Sequence, residues 1–269
     1  MKTIFITGSS SGIGKETARL FQKKGWNVIA TMRDPQAEKE LVNLTNVKVI
    51  QCDVTQQGSI EKAVREGLTV FKSIDVLVNN AGYYALGPLE ATTYEQVKRQ
   101  IDTNLFGLID VTKNLIPHFR KQKSGVIVNL SSIAGIVSIP LQSLYHATKW
   151  GVEGFSEALR YELRQFNIHV KIIEPGVVKT DFYGRSMATL HDEKLDDYEH
   201  YSQKVINNIL SNGEKGSLPL AVAETIYKAA TDNSTRLRYP TGNMKSMIAL
   251  RKMLPLRAYS SLIRTAMEK

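Results

Sequence analysis

Short apolar segments alternate with longer amphipathic segments along most of the chain. The apolar runs are rich in valine and isoleucine and show no alternation of polar and apolar positions. Continuous runs of this kind are typical of parallel strands that are covered on both faces. The predicted strands, of which the last is the weakest, are Thr3–Thr7, Asn27–Thr31, Val47–Gln51, Asp75–Asn79, Gly125–Leu130, Ile168–Glu174 and Arg236–Tyr239.

Helical periodicity lies between these runs, for example over Lys15–Lys24, Ser59–Phe71, Thr93–Lys121 and Leu144–Phe166. Strand–helix alternation favours right-handed βαβ units in one open sheet. No linker divides the chain. We therefore predict a single α/β domain over residues 1–269, with a doubly wound, mostly parallel seven-stranded sheet and helices on both faces.

Residues 181–218 break the alternation. The segment is polar, has mixed helical signals and contains a loop-like stretch at 211–216. It follows the sixth predicted strand, and open α/β sheets bind ligands beyond the carboxyl ends of their strands. We interpret it as a lid over a substrate site; a plain surface insertion is the alternative.

Composition narrows the class of protein. With 42% hydrophobic and 23% charged residues, the 269-residue chain is not of the disordered, collagen-like or coiled-coil type. Its single cysteine cannot form an internal disulfide, and its five histidines show no metal-ligand spacing, so no metal is predicted. No signal peptide or spanning apolar segment is visible, and we expect a cytoplasmic protein.

The positive charge is unevenly distributed. Formal net charge is +9, and residues 245–269 carry six cations against one anion. We favour a solvated basic helix for this C-terminal extension; contact with a membrane surface or another anionic partner is the alternative. Nucleic-acid binding is not predicted, because the basic residues are not interleaved with aromatic ones.

A glycine-rich turn gives the strongest local signal. The sequence Thr7-Gly8-Ser9-Ser10-Ser11-Gly12-Ile13-Gly14 follows the first strand and precedes a helix. Gly8 permits a tight turn, and Gly12 lets the backbone approach a diphosphate at the helix N-terminus. In this context the turn predicts a dinucleotide site. A serine-rich turn without a ligand is the alternative.

Further motifs follow in order. They are Asn79-Asn80-Ala81-Gly82, Ser132, the Tyr145-x-x-x-Lys149 pair, and the run Pro175-Gly176-Val177-Val178-Lys179-Thr180. Together with the glycine turn, they resemble the short-chain dehydrogenase/reductase family over residues 3–182. The segments 81–90 and 173–176 are similar to the branch of 17β-hydroxysteroid and retinol dehydrogenase-like carbonyl reductases. This resemblance implies a Rossmann-type fold.

The residue after the second strand bears on the choice of nicotinamide cofactor. Enzymes that bind NAD usually place a carboxylate there, on the ribose 2′-hydroxyl. In this sequence the corresponding residue is Met32, which carries no carboxylate. The next residue is Arg33, whose guanidinium is a good partner for a phosphate. We predict that NADP(H) is preferred over NAD(H), although Asp34 is one residue further on.

The resemblance implies a wider set of cofactor contacts. Asp53 would hold the adenine amino group, unless it is only a turn aspartate, and Asn80 would line the ribose region. Val178 and Thr180 would meet the nicotinamide carboxamide. The full predicted set is Gly8, Ser10, Ser11, Gly12, Ile13, Gly14, Arg33, Asp53, Val54, Asn80, Ala81, Gly82, Tyr145, Lys149, Pro175, Gly176, Val178 and Thr180.

The Tyr145/Lys149 pair predicts proton transfer. Residues four apart share one helix face, and a nearby ammonium lowers a phenol pKa from its ordinary value of about 10. Ser132, preferred to Ser131 on its spacing to Tyr145, can polarise a carbonyl. By resemblance, Asn104 is a fourth catalytic residue that holds a water in a proton relay.

Apolar and aromatic residues after three of the motifs predict a hydrophobic substrate pocket. Besides Ser132, the candidates are Tyr83, Tyr84, Leu141, Phe182, Tyr183 and Met187. Aromatic core packing is the alternative for each. His146, beside Tyr145, is interpreted as a packing or pocket-wall residue rather than a base.

These observations predict an oxidoreductase in which NADPH reduces a hydrophobic ketone or aldehyde. An alcohol, hydroxysteroid or retinol dehydrogenase running oxidatively is one alternative. A dinucleotide-sensing module without catalysis is another, and the intact set of catalytic motifs argues against it. By resemblance, the helices predicted at Thr93–Lys121 and Leu144–Phe166 pair across subunits in a homodimer or homotetramer.

Overall fold

The computed structural model describes residues 1–179, 187–192, 194–214, 216–242 and 245–268. The strands in these residues are β1 (Thr3–Ile6), β2 (Asn27–Met32), β3 (Val47–Gln51), β4 (Val76–Asn79), β5 (Tyr84–Leu86), β6 (Gly125–Leu130), β7 (Ile168–Pro175), β8 (Met187–Thr189) and β9 (Arg238–Thr241). All but β5 and β8 form one parallel sheet of seven strands. β5 and β8 pair with each other, also in parallel.

Strand order in the large sheet is β3-β2-β1-β4-β6-β7-β9. The order runs in opposite directions on the two sides of the β1–β4 pair, so the sheet is doubly wound. The predicted fold class is confirmed. In such sheets the chain leaves β1 and β4 towards opposite faces and opens a crevice at their carboxyl ends, where ligands bind.

Helices cover both faces of the sheet. The helices of the described residues are α1 (Gly12–Lys23), α2 (Gln57–Phe71), α3 (Tyr94–Ile101), α4 (Gly107–Gln122), α5 (Ser143–Leu163), α6 (Glu199–Glu214), α7 (Pro219–Thr231), α8 (Lys245–Met253) and α9 (Leu256–Glu268). α1 and α7 pack on one face, and α2, α4 and α5 pack on the other. None of the helices in the described part of the chain has the length and apolar character that a bilayer crossing needs.

Burial of both faces explains why the strand sequences do not alternate. In β1, Ile4 and Ile6 pack beneath α1 and α7, whereas Phe5 packs against the opposite layer. Successive side chains of a strand point to opposite faces, so a strand covered on both sides needs apolar residues at every position.

The predicted helix Thr93–Lys121 is interrupted. α3 begins with a capping box, in which Thr93 and Gln96 bond each other's main chain, and ends at Ile101. Residues Asp102–Phe106 form a π-helical turn before α4 continues in α-helical geometry. Such turns insert one extra residue into a helix and are frequent at functional sites.

The segment predicted as a lid contains structure that its sequence did not predict. β8 and α6 lie within it, and α6 packs against α9. The basic C-terminal extension forms two helices rather than one. α8 ends before Pro255, whose ring lacks the N–H that a continuing helix would need, and α9 begins at Leu256.

Candidate active site

The glycine-rich turn leads directly from β1 into the N-terminus of α1. Gly8 and Gly12 have φ angles of 69° and 54°, a region that favours glycine. Ser11 precedes the helix in an extended conformation and, among the described residues, its side chain makes no capping hydrogen bond. The first N–H groups of α1 are therefore available to an anionic group.

Asn80 holds this turn against the end of β4. Its Nδ2 donates to the carbonyl oxygens of Thr7 and Gly8, both at 2.9 Å. Gly14 packs into the same contact, where an added Cβ would lie 2.3 Å from the Gly8 oxygen. The absence of a side chain at Gly14 is thus required by the close packing of helix and turn.

Thr7 was not singled out from the sequence, yet it completes this contact. Its Oγ1 accepts the main-chain N–H groups of Asn80 and Ala81, both at 3.0 Å. A hydroxyl at the carboxyl end of β1 thereby fixes the loop after β4. The first two motifs of the sequence are therefore bonded to each other.

The far end of the crevice contains Arg33, Asp34 and Asp53. The Asp34 carboxylate accepts the Gln36 N–H at 3.1 Å and caps a short 3-10 turn. Arg33 is exposed and forms no ion pair with the described residues. Asp53 accepts from the N–H and the hydroxyl of Thr55 at 2.9 and 2.7 Å, as a turn aspartate does.

α5 carries Tyr145 and Lys149 in its first two turns, and both are buried. The Lys149 Nζ lies 5.6 Å from the centroid of the Tyr145 ring and donates to the Leu130 carbonyl oxygen at 2.7 Å. The Tyr145 ring packs edge-on against Tyr84, with centroids 5.0 Å apart. The structure therefore brings the phenol and the ammonium together beside the end of β6.

Burial lowers the pKa of Lys149 to about 8, because water is excluded from its charged form. The carboxylate of Glu153, one turn further along α5, opposes this shift. Glu153 is itself buried and pairs with Arg238 at 3.0 Å. Glu153 was not identified from the sequence as a neighbour of Lys149. The one indication in the sequence is its position four residues after Lys149, which places both on the same face of a helix.

Ser132 and Ser131 face different surroundings. Ser132 begins a 3-10 turn, and its Oγ accepts the Ala134 N–H at 3.2 Å. A hydroxyl donates as well as accepts, and no hydrogen bond donated by the Ser132 hydroxyl is seen within the described residues, so its hydrogen is available to a ligand. Ser131 also lines the crevice, but it is more deeply buried and its Oγ lies near Gly135, on the side of Glu153. The orientation favours Ser132 as the group that meets a substrate.

Asn104 lies within the π-helical turn and is buried. Its Nδ2 donates to the Tyr83 carbonyl oxygen at 2.8 Å, and its Oδ1 accepts the Tyr83 N–H at 3.0 Å. Both ends of the amide therefore hold the main chain of the loop that leads into β5. The side chain positions one wall of the crevice.

His146 connects α5 with the loop that carries Ser132. Its Nδ1 bonds the Ala134 carbonyl oxygen at 2.7 Å, and its Nε2 accepts the Ile139 N–H at 2.9 Å. Burial lowers its pKa, so the ring stays neutral and can accept at Nε2. This is the packing role that the sequence indicated.

The predicted pocket residues are distributed over the crevice and the layer behind it. Tyr83, Tyr84 and Met187 line the crevice, and the Arg99 guanidinium lies 5.0 Å from the Tyr83 ring centroid. Leu141 is not among the lining residues; it packs against the apolar cluster behind them. Thr180, Phe182 and Tyr183 lie outside the described residues.

One crevice of about 1360 Å³ joins the glycine-rich turn, the Tyr145/Lys149 pair, Ser132 and Asn104. This volume exceeds the roughly 300–1,000 Å³ of a drug-sized ligand site, so it can hold a dinucleotide together with a small substrate. Besides Tyr83, Tyr84 and Met187, the predicted residues that line it are Gly8, Ser10, Ser11, Gly12, Ile13, Arg33, Asp53, Val54, Asn80, Ala81, Gly82, Asn104, Ser132, Tyr145, Lys149, Pro175, Gly176 and Val178.

Comparison with curated proteins identifies relatives along most of the chain. An uncharacterized oxidoreductase of Schizosaccharomyces pombe is 44% identical, over 79% of this chain and 89% of the relative. A 3-ketodihydrosphingosine reductase of Bacteroides thetaiotaomicron is 35% identical, over 91% and 89%. Human retinol dehydrogenase 8 is 36% identical, over 70% and 62%.

Solved structures agree with these relatives. A short-chain dehydrogenase from Streptomyces avermitilis superposes with a TM-score of 0.85 and 29% identity, covering 98% of each chain. ElxO with NADP bound gives 0.73 and 28%, covering 89% of this chain and 97% of the other. The family model described as short chain dehydrogenase matches residues 2–190. The chain therefore belongs to the short-chain dehydrogenase/reductase family of oxidoreductases, in its retinol dehydrogenase-like branch.

Proposed function

We propose that this protein is an NADP(H)-dependent carbonyl reductase that converts a hydrophobic ketone or aldehyde into an alcohol. The observation that carries the proposal is the meeting of Tyr145, Lys149 and Ser132 in one crevice with the glycine-rich turn. When bound, the nicotinamide dinucleotide supplies the hydride. The remaining chemistry belongs to residues of this chain.

The crevice fits such a cofactor. The uncapped N-terminus of α1 suits the diphosphate, and the space beside Gly12 lets the backbone approach it. Arg33 suits the 2′-phosphate of NADP(H), and the Asp34 carboxylate is already bonded to the Gln36 amide. The ElxO relative, solved with NADP bound, is consistent with this preference.

In this proposal Tyr145 donates the proton to the carbonyl oxygen as the hydride arrives at carbon. The Lys149 ammonium favours the phenolate that remains, which makes the phenol a stronger acid. Ser132 donates its hydroxyl hydrogen to the same oxygen and stabilises the developing negative charge. In the reverse direction Tyr145 is the base.

The resemblance assigned Asn104 to a water relay. Because its side chain bonds Tyr83 at both ends, we propose that it acts mainly as a positioning residue for the pocket wall. The aromatic and apolar lining supports a hydrophobic substrate. Two relatives, a 3-ketodihydrosphingosine reductase and a retinol dehydrogenase, are named for hydrophobic substrates, which supports the same assignment.

The retinol dehydrogenase relative also supports the oxidative alternative. Initial rates with NADPH and a ketone, compared with NADP⁺ and the corresponding alcohol, separate the two directions. A higher catalytic efficiency in oxidation would replace the reductase assignment by that of an alcohol dehydrogenase.

We also propose a homodimer or homotetramer in the cytoplasm. Large aromatic side chains are exposed where α4 begins and along α5, namely Phe106, Trp150 and Tyr161. Aromatic residues are enriched at subunit interfaces, which supports pairing through these helices. A single cysteine in the whole chain is consistent with a reducing compartment.

The proposal is tested by Tyr145→Phe, which keeps the ring against Tyr84 and removes only the hydroxyl. Turnover of a ketone panel should fall by about 10²–10⁴-fold, the usual contribution of general acid catalysis. NADPH binding, measured by fluorescence titration, should stay within a few-fold. Tyr161→Phe, at an exposed position of the same helix, is the control. Retained turnover in Tyr145→Phe would refute the assignment.

Ser132→Ala and Ser131→Ala form a second matched pair. Only the first should reduce turnover strongly, by about 10²–10³-fold, the usual effect of removing a donor to a developing oxyanion. Circular dichroism verifies that both variants are folded. A larger loss of turnover in Ser131→Ala than in Ser132→Ala would assign the donor role to Ser131.

A further inference from the structure

The C-terminal helix pair, defined as residues 245–268, exposes four large apolar side chains, which are together called its outer edge. Met253 is 81% exposed, which is the highest value among the large apolar side chains described. Leu256, next to it across the Pro255 turn, is 62% exposed, and Leu250 and Leu262 are also exposed. These side chains lie on both helices and around the turn that joins them.

The inner side of the helix pair already supplies the packing that holds it. Tyr259 is buried with Ile133 and Val137, and Met247, Ile248, Leu254 and Ile263 pack against this cluster. The carbonyl oxygen of Met267 accepts from Asn208 of α6 at 2.9 Å. The outer apolar residues are therefore not needed for attachment to the domain.

The same segment is strongly basic. Residues 245–268 contain five cations and one acidic residue, Glu268. Arg257 and Arg264 are exposed, and the Arg251 guanidinium lies 5.3 Å from the Tyr259 ring centroid. Helices that combine exposed leucine and methionine with exposed arginine have the composition of helices that lie in a membrane interface.

We propose that the outer edge of the C-terminal helix pair docks onto a bilayer surface that contains anionic phospholipids. The apolar side chains enter the acyl boundary, and the arginines meet the phosphate groups. Two copies of this edge would repel each other, because each carries the same positive charge. A nucleic acid would leave the apolar side chains without a partner.

The position of the helix pair connects this surface with the crevice. Met247 and Met267 line the crevice, and Met253 follows Met247 by six residues, or about 9 Å along a helix. Docking therefore places the crevice close to the bilayer. This route rests on the proposed function: a hydrophobic carbonyl compound passes from the lipid to Tyr145 without crossing water.

Flotation of the full chain with vesicles tests the surface. Binding should be strong to mixed phosphatidylcholine–phosphatidylglycerol vesicles, weak to phosphatidylcholine alone, and reduced by added salt. The double variant Met253→Asp, Leu256→Asp should lower the partition coefficient by about tenfold or more, since it removes apolar insertion and adds like charge to an anionic surface. Arg257→Glu should lower it by about tenfold.

The control variants introduce an aspartate at an exposed apolar position and reverse an arginine charge at sites outside the C-terminal helix pair. Tyr94→Asp alters a side chain that is 76% exposed at the start of α3, and Arg65→Glu reverses a charge on α2. Both should bind vesicles like the unchanged protein. Thermal unfolding and turnover of a water-soluble ketone verify that every variant is folded, and neither measurement depends on vesicles.

Three results would overturn the proposal. One is equal binding to neutral and anionic vesicles. Another is undiminished binding of the double variant or of Arg257→Glu. The third is a change of oligomeric state in these variants without vesicles, which would show that a second copy covers the edge. Because no cofactor or substrate is present in flotation, failure of the reductase assignment gives a different pattern: vesicle binding without turnover.

Discussion

Arg33 and Asp34 follow β2 side by side with opposite charges. The Asp34 carboxylate accepts the Gln36 N–H, whereas the Arg33 guanidinium forms no ion pair with the described residues. On the proposed function, we expect this guanidinium to distinguish a 2′-phosphate from a 2′-hydroxyl.

Arg33→Asp should shift selectivity from NADPH towards NADH. A charged hydrogen bond contributes about 1.5–3 kcal/mol, so the ratio of the two kcat/KM values should fall by about 10–100-fold. Steady-state kinetics with both cofactors measure it, and Asp34→Asn serves as the control with little change. Unaltered selectivity would remove Arg33 from this role.

Lys149 should impose an upper pH limit on reduction. With a pKa of about 8, its ammonium is present below that pH and is lost above it. Reduction also requires the protonated phenol of Tyr145, so kcat/KM should fall as the pH rises through about 8, with the two groups titrating as a pair. Lys149→Met should be slower by at least about 10²-fold, and its descending limb should move to higher pH, because only the Tyr145 phenol then titrates. A wild-type rate that is flat to pH 10 would contradict it.

At the scale of elements, His146 couples the catalytic helix α5 with the loop of Ser132. Its folded-state pKa is lowered, so the neutral ring contributes stability above the unfolded pKa of about 6.5. That contribution is lost as the pH falls below this value, because the protonated ring cannot accept the Ile139 N–H.

His146→Leu should reduce the free energy of unfolding by about 1–3 kcal/mol at pH 7.5, since two main-chain groups lose their partner. The difference from the unchanged protein should shrink below pH 6.5. Urea unfolding at a series of pH values measures it, with the exposed His200→Gln as control. A difference independent of pH would indicate lost packing instead.

Elements with a strong periodic signal were predicted well. The strands of the large sheet begin and end within two residues of their predicted bounds. Strands buried on both faces have continuous apolar sequences, which are easily recognised. β5 and β8 were missed, since three residues are too few to show a pattern. The π-helical turn was also missed, because one extra residue hardly disturbs the apolar spacing of a long helix.

The candidate site was predictable where its residues lie in local motifs. The glycine turn and the Tyr145/Lys149 pair are each encoded within a few positions. The bonds of Asn80 to Thr7 and of Asn104 to Tyr83 join residues 73 and 21 positions apart. A single sequence contains no signal for such pairings, which exist only after the strands and helices have packed.

For the whole molecule, the exposed aromatic residues of α5 have a direct consequence for assembly. If α4 and α5 pair across subunits, the unchanged protein should elute with at least twice the 30.1 kDa mass of one chain in light scattering. Trp150→Glu places a charge in that interface and should shift the mass towards one chain.

Tyr94→Glu, at an exposed aromatic position outside α4 and α5, is the control and should leave the mass unchanged. A monomeric unchanged protein would refute the predicted oligomer. A dimer that Trp150→Glu does not weaken would place the interface elsewhere on the surface.

The extra residue in the π-helical turn Asp102–Phe106 rotates the side chains of α4 about the helix axis relative to those of α3, although the helix is continuous. Each residue turns an α-helix by about 100°, so the insertion lets Asn104 point at the Tyr83 loop while Val111, Leu115 and Phe119 still face the sheet. Deleting one residue there would keep the rod helical but rotate one half against the other. The protein would then lose either the hydrogen bonds of Asn104 to Tyr83 or the apolar packing of α4 on the sheet. The number of residues in this short stretch is therefore as constrained as their identity.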